Sequence, residues 1–163
     1  MAGETMNDAL RTEIIAFLDA QTAMTVATVD GDTPWATSLY YARDNDLNLF
    51  FLSSGHTRHC TNIAGNPRVA ATIIGDEKDW QILRGVQIDA TAERVAPAGL
   101  TQAAGVYFGR YPEFREAVGA PQNADEQALV EALQYVHFYK LAPRMIRLID
   151  NGKGFAHKDE LTL

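Results

Sequence analysis

The chain has 163 residues, 47% of them apolar, a net charge of −7 and a pI near 5.0. That length suits one domain, spanning 1–163, built on one core. The acidic balance, without a lysine or arginine cluster, excludes nucleic acid and anionic membrane as partners.

The single cysteine, Cys60, leaves no internal disulfide and no thiolate metal cluster. This fits a reducing, cytoplasmic setting. The opening residues lack the basic-then-apolar pattern of a signal peptide. No apolar run approaches the roughly 20 residues of a spanning helix, so no membrane role is expected.

Met6, Leu10, Ile14 and Leu18 recur at helical spacing, and Ile15 and Phe17 widen the stripe. An amphipathic helix is expected over about 6–20, capped by Thr5 or Asn7. Ala23 to Val29 is a threonine- and valine-rich strand. Asp30-Gly31-Asp32 turns it into a second strand, Trp35 to Arg43. A turn at Asp44-Asn45-Asp46 leads to a third, Leu47 to Ser53, so the three read as an antiparallel meander.

The next stretch, Ser53-Ser54-Gly55-His56-Thr57-Arg58-His59, ends a buried strand and opens a short helix over 57–64. A helix N-terminus offers unpaired N–H groups and the positive end of a dipole, so it favours an anion, most often phosphate. The plainer reading is a cap, with Thr57 or Ser54 satisfying those N–H groups. His56 and His59 lie three apart but lack a third metal ligand, and no metal site is expected. Cys60 reads as a small buried hydrophobe.

Gly65-Asn66-Pro67 stops the helix, and Arg68 to Ile74 is a β-branched strand. Trp80 to Val95 alternates through Ile82, Val86, Ile88, Ala90 and Ala92 and reads as one long strand, with a bend at Gly85. Residues 97–136 form a helical insert. Phe138 to Asp150 returns to strand, and the tail from Phe155 is peripheral. The fold class is mainly β (α+β): a six-stranded antiparallel split β-barrel with capping helices.

At this point the chain resembles the pyridoxamine 5′-phosphate oxidase-like, FMN-binding split β-barrel superfamily. The resemblance rests on Ser53 to His59, Asn62-Ile63, Asn66-Pro67-Arg68-Val69, and the block from Leu83-Arg84-Gly85-Val86-Gln87-Ile88 to Ala92-Glu93-Arg94-Val95. Thr57-Arg58-His59 with Leu83 to Gln87 is especially similar to a small, uncharacterised branch. The resemblance implies a homodimer with flavin at the subunit interface and a small-molecule substrate. By motif position, Ser53, Thr57 and Arg58 would hold the FMN phosphate, and His59 stands where relatives often place a lysine. Ser38, Leu39 and Leu52 would line the isoalloxazine ring. Arg84 and Gly85 fall where the partner subunit approaches the flavin, although a salt bridge at an edge serves Arg84 equally well.

Two departures matter. The second strand, Trp35-Ala36-Thr37-Ser38-Leu39-Tyr40-Tyr41, lacks the basic residues of the true oxidases. A C-terminal tryptophan–arginine substrate signature is also missing. Pyridoxamine phosphate oxidation is therefore not the expected activity. The expected function is an FMN-dependent oxidoreductase acting on a small molecule or a reduced nicotinamide. Two alternatives stay open: a non-catalytic flavin carrier or sensor, and a haem- or deazaflavin-binding barrel in which His56, His59 or His137 would matter.

Overall fold

The structure is a computed structural model that describes the backbone of residues 2–163 and the side chains from residue 7 onward. The Met6 position of the helical stripe and the Thr5 cap lie outside the described side chains. Helix α1 spans Ala2–Ala20, longer than its apolar pattern, so Asn7 sits inside it. Its inner face buries Ile14, Phe17 and Leu18.

Eight strands are described: β1 (Ala23–Asp30), β2 (Thr33–Tyr40), β3 (Ala42–Arg43), β4 (Leu49–Ser54), β5 (Arg68–Ile74), β6 (Arg84–Arg94), β7 (Val136–Asp150) and β8 (Lys158–Thr162). Helix α2 (Arg58–Gly65) follows β4, and α3 (Leu100–Arg110), α4 (Pro112–Gly119) and α5 (Ala124–Leu133) lie between β6 and β7. The sheet runs β2-β1-β5-β6-β7-β4-β3, and every pairing is antiparallel.

β2 and β3 stand at opposite ends of that order, yet only Tyr41 separates them in sequence. The two ends must therefore meet, and the sheet curls into a split barrel. Tyr41 is the seam. It is fully buried, its amide donates to Thr22 O at 3.3 Å, and its hydroxyl donates to Leu18 O at 2.7 Å.

Several sequence expectations change here. The strand count is eight, because the second strand breaks at Tyr41 and the tail forms β8 against β7. The meander is kept only at its two hairpins: β1 pairs with β2 and β3 with the start of β4, while β4 pairs along its whole length with β7. The long strand begins only at Arg84, since Asp79 Oδ1 accepts from Gln81 N at 2.9 Å and winds Trp80–Ile82 into a 3₁₀ turn.

No bulge forms at Gly85, which pairs regularly with Ile74 and Ile149. A Cβ there would sit 3.1 Å from Ile73 O, so glycine serves a close backbone approach. The bulge lies further along, where Asp89 opposes Met145 but Ala90 opposes Pro143. Proline lacks the N–H a regular ladder needs and suits a bulge.

The core lies inside the curl. Val69, Ala71 and Ile73 of β5 and Val86, Ile88, Ala90 and Ala92 of β6 point inward at period two. Tyr139 and Leu141 of β7 share one parity, and Ile146 and Leu148 the other. The extra residue of the bulge lets both halves of β7 face the core.

Candidate anion-binding turn

β4 delivers Ser53 and Ser54 to one end of the barrel, opposite His137 and Val136 of β7. The backbone then turns through Gly55 and His56, and Thr57 N donates to Ser54 O at 3.1 Å. Thr57 is the N-cap of α2 with extended backbone, but its side chain makes no capping bond. Its hydroxyl instead donates to Ser54 O at 2.8 Å. The cap reading therefore fails for Thr57, and the start of α2 keeps donors without a side-chain acceptor.

Arg58 opens the helix. It is exposed, and its guanidinium lies 4.6 Å from the centroid of the Trp35 ring. That contact steadies the long side chain by about 0.5–1 kcal/mol at an exposed site without using its N–H donors. Guanidinium and helix N-terminus together present positive charge on a chain that is acidic overall.

Beneath the turn sits a buried polar cluster. Ser53 Oγ and His59 Nε2 are 2.7 Å apart, and Thr57 Oγ1 lies 3.2 Å from that nitrogen and 3.3 Å from Ser53 Oγ. Thr57 has one proton and gives it to Ser54 O. Of the contacts that remain, His59 Nε2 with Ser53 Oγ is the shortest, and its donor follows the imidazole tautomer. His59 is thus a buried brace facing inward, 6% exposed, rather than a surface cation. A second brace holds α2 on β1: Asn62 Nδ2 donates to Thr28 Oγ1 at 3.0 Å, and both residues are buried.

Cys60 joins the same cluster. Burial alone would raise its thiol. Hydrogen bonds with His59, Thr57, Tyr139 and Ser53 outweigh that effect and bring the thiol down to about 7. Sequence reasoning took Cys60 for a plain hydrophobe and passed over Tyr139. Thr57 and Cys60, three apart on a helix start, were a visible signal. Tyr139 was not, because only the β4–β7 register places it beside Phe51 and under the turn.

The remaining predicted residues divide between two regions. Ser38 faces outward beside Thr25, with hydroxyl oxygens 3.4 Å apart, while Leu39 packs inward against the core. Leu52 lies on β4 next to Ser53, with its side chain on the opposite face of the strand. β2 and β4 touch across the curl, and Leu52 directly precedes the Ser53–Ser54 end of β4.

Arg84 and Gly85 do not. Arg94, near Tyr139, stands at one end of β6 and Arg84 at the other, about 30 Å away along the strand. There Arg84 Nε lies 3.2 Å from Asp150 Oδ2, and the guanidinium lies 5.6 Å from the Phe17 ring centroid. Within one chain Arg84 pairs with Asp150 of β7 at the end of a strand that is flanked on both sides.

A helix start with unspent N–H donors, one exposed guanidinium and hydroxyls braced from below can hold a phosphate monoester. Among the described residues no nucleophile–base–acid triad accompanies it, and no helix is long and apolar enough to cross a membrane.

The comparisons bear on the family and the fold. The family model described as Pyridoxamine 5′-phosphate oxidase matches residues 10–140. A UPF0306 protein of Pasteurella multocida is 28% identical over 142 residues, covering 86% of this chain and 84% of the relative. Two solved structures share the fold. One is an FAD-binding protein from Mesorhizobium loti, with TM-score 0.60 and 15% identity over 84% of this chain and 90% of the other. The other is the haem storage protein HutZ from Vibrio cholerae, with TM-score 0.63 and 22% identity over 93% and 92%.

Proposed function

Because the chain belongs to the pyridoxamine 5′-phosphate oxidase family, we propose that it binds FMN as a homodimer and acts as a flavin-dependent oxidoreductase on a small molecule or a reduced nicotinamide. The observation that carries this reading is the turn itself: α2 starts without a side-chain cap, and Arg58 stands exposed at its first position. A phosphate there would take N–H groups of the first helical turn and the Arg58 guanidinium. His59, Ser53 and Thr57 hold the turn from beneath, since the Thr57 proton is already given to Ser54 O.

Bound flavin would supply the hydride and electron chemistry, which explains why the chain needs no acid–base triad. The residues around it bind, orient and exclude water. Ser38, Leu39 and Leu52 would flank the ring. Arg84 and Gly85, remote from the turn of their own chain, would meet the ring bound to a second copy.

The outward face of β1, β5 and β6 supports pairing of copies. It forms a groove of about 350 Å³ lined by Thr25, Ala27, Ala70, Thr72, Gln87 and Asp89, where small side chains allow close approach. β2 beside it is exposed along most of its length, an edge that a partner would cover. The substrate would differ from pyridoxamine phosphate, because β2 offers no cation to a second phosphate.

The test is spectroscopic. Purified protein mixed with FMN is expected to retain a yellow flavin spectrum through gel filtration, and a reduced nicotinamide or another small donor should bleach it. Flavin that binds but is never bleached would favour a carrier. A Soret band with haem and no retained flavin would overturn the proposal.

A further inference from the structure

β2 carries no cation, yet it meets the anion turn at one residue. The Arg58 guanidinium stands over the Trp35 ring, 4.6 Å from its centroid. With the turn read as a phosphate site, we propose that Trp35 is its specificity-determining positioning residue. The indole holds Arg58 ready for the phosphate, so β2 contributes to anion recognition through an aromatic ring in place of a cation of its own.

The fold fixes where the indole stands. Trp35 shares the strand parity of Leu39, which packs on the core, and α2 packs on β1 and β2. Directly opposite Trp35 on β1 is Thr28, which is buried, and its hydroxyl donates to Trp35 O at 3.4 Å. The same hydroxyl oxygen accepts from Asn62 Nδ2 of α2 at 3.0 Å. Asn62 lies one helical turn beyond Arg58. One threonine thus ties the helix that carries Arg58 to the strand that carries Trp35. Trp35 is 40% exposed, so core packing alone does not account for a large aromatic residue there.

Arg58 itself is exposed, and α2 has no acidic residue in its first turn to hold it. A free arginine must be ordered by the ligand, and that ordering weakens binding. A carboxylate could order it beforehand, but would compete with the phosphate for its charge and N–H groups. An indole attracts the guanidinium through the ring face and leaves the N–H groups for an oxyanion. Tryptophan makes the strongest such contact among the aromatic side chains. Because the ring acts on Arg58 and Arg58 on the phosphate, the effect of Trp35 belongs to that group of the ligand alone.

The experiment titrates the full-length protein with FMN and with riboflavin, followed by flavin fluorescence. Trp35→Leu should weaken FMN binding about two- to tenfold, the span for ordering one long side chain, and leave riboflavin binding unchanged. Trp35→Phe keeps an aromatic face and should recover most of the loss. In an Arg58→Ala background, Trp35→Leu should have no further effect. The proposal is overturned if Trp35→Leu leaves FMN affinity unchanged, weakens both flavins equally, or acts as strongly without Arg58. A wild type that binds both flavins alike removes the phosphate site and the role of Trp35 with it. A preference for FMN that is lost in Arg58→Ala but kept in Trp35→Leu removes the role of Trp35 alone.

Discussion

Arg58 and His59 are neighbours in sequence with opposite tasks. Arg58 stands outside, stacked on Trp35, with its N–H donors unspent. His59 is turned inward and spends Nε2 on the hydroxyls below the turn. Removing the guanidinium by Arg58→Ala should weaken FMN binding by about 1.5–3 kcal/mol, measured by flavin fluorescence titration. Asn62→Ala removes the buried bond to Thr28 and should cost about 1–3 kcal/mol in chemical denaturation.

Cys60 ties stability to pH. Burial raises its thiol, and the hydrogen bonds of His59, Thr57, Tyr139 and Ser53 more than reverse that, giving about 7 against an ordinary value of 9.0. The unfolded chain therefore binds more protons between pH 7 and 9. Stability should rise across that window and be lost as pH falls through 7. The difference in Tm between wild type and Cys60→Ser should follow this curve; a difference independent of pH would refute it. The turn, its arginine and its glycine were legible in sequence because local signals place them. The inward role of His59 was not, because it depends on where Ser53 ends within the barrel.

At the scale of elements, local chemistry predicted most strands and missed how they join. The alternation of β5 and β6 is readable because each has one inward parity. β7 changes parity at the Pro143 bulge, so no single template fits it. β4 pairs with a strand more than 80 residues away, and nothing local announces such a partner. The break at Tyr41 is set by closure of the barrel, which a sequence read in windows does not contain. Tyr41→Phe tests that seam: it strands the buried Leu18 carbonyl and should cost about 1–2 kcal/mol, read as a lowered denaturation midpoint with an unchanged slope.

For the whole molecule, the β4–α2 turn lies toward one end of β6 and Arg84 at the other, so the proposed flavin site needs a second copy to bring them together. Ala70→Arg places a bulky charge in the groove of small residues on the outer face. It should convert a dimer into a monomer by sedimentation and lower flavin affinity with it; a variant that stays dimeric would contradict this face as the interface.

The central claim is that the β4–α2 turn holds a phosphate, and FMN against riboflavin tests it most directly, since the two differ only in that group. Wild-type protein should bind FMN at least about tenfold more tightly than riboflavin, and Arg58→Ala should erase most of the difference. Equal affinity for the two flavins, or a preference for FMN that survives loss of Arg58, would contradict the account.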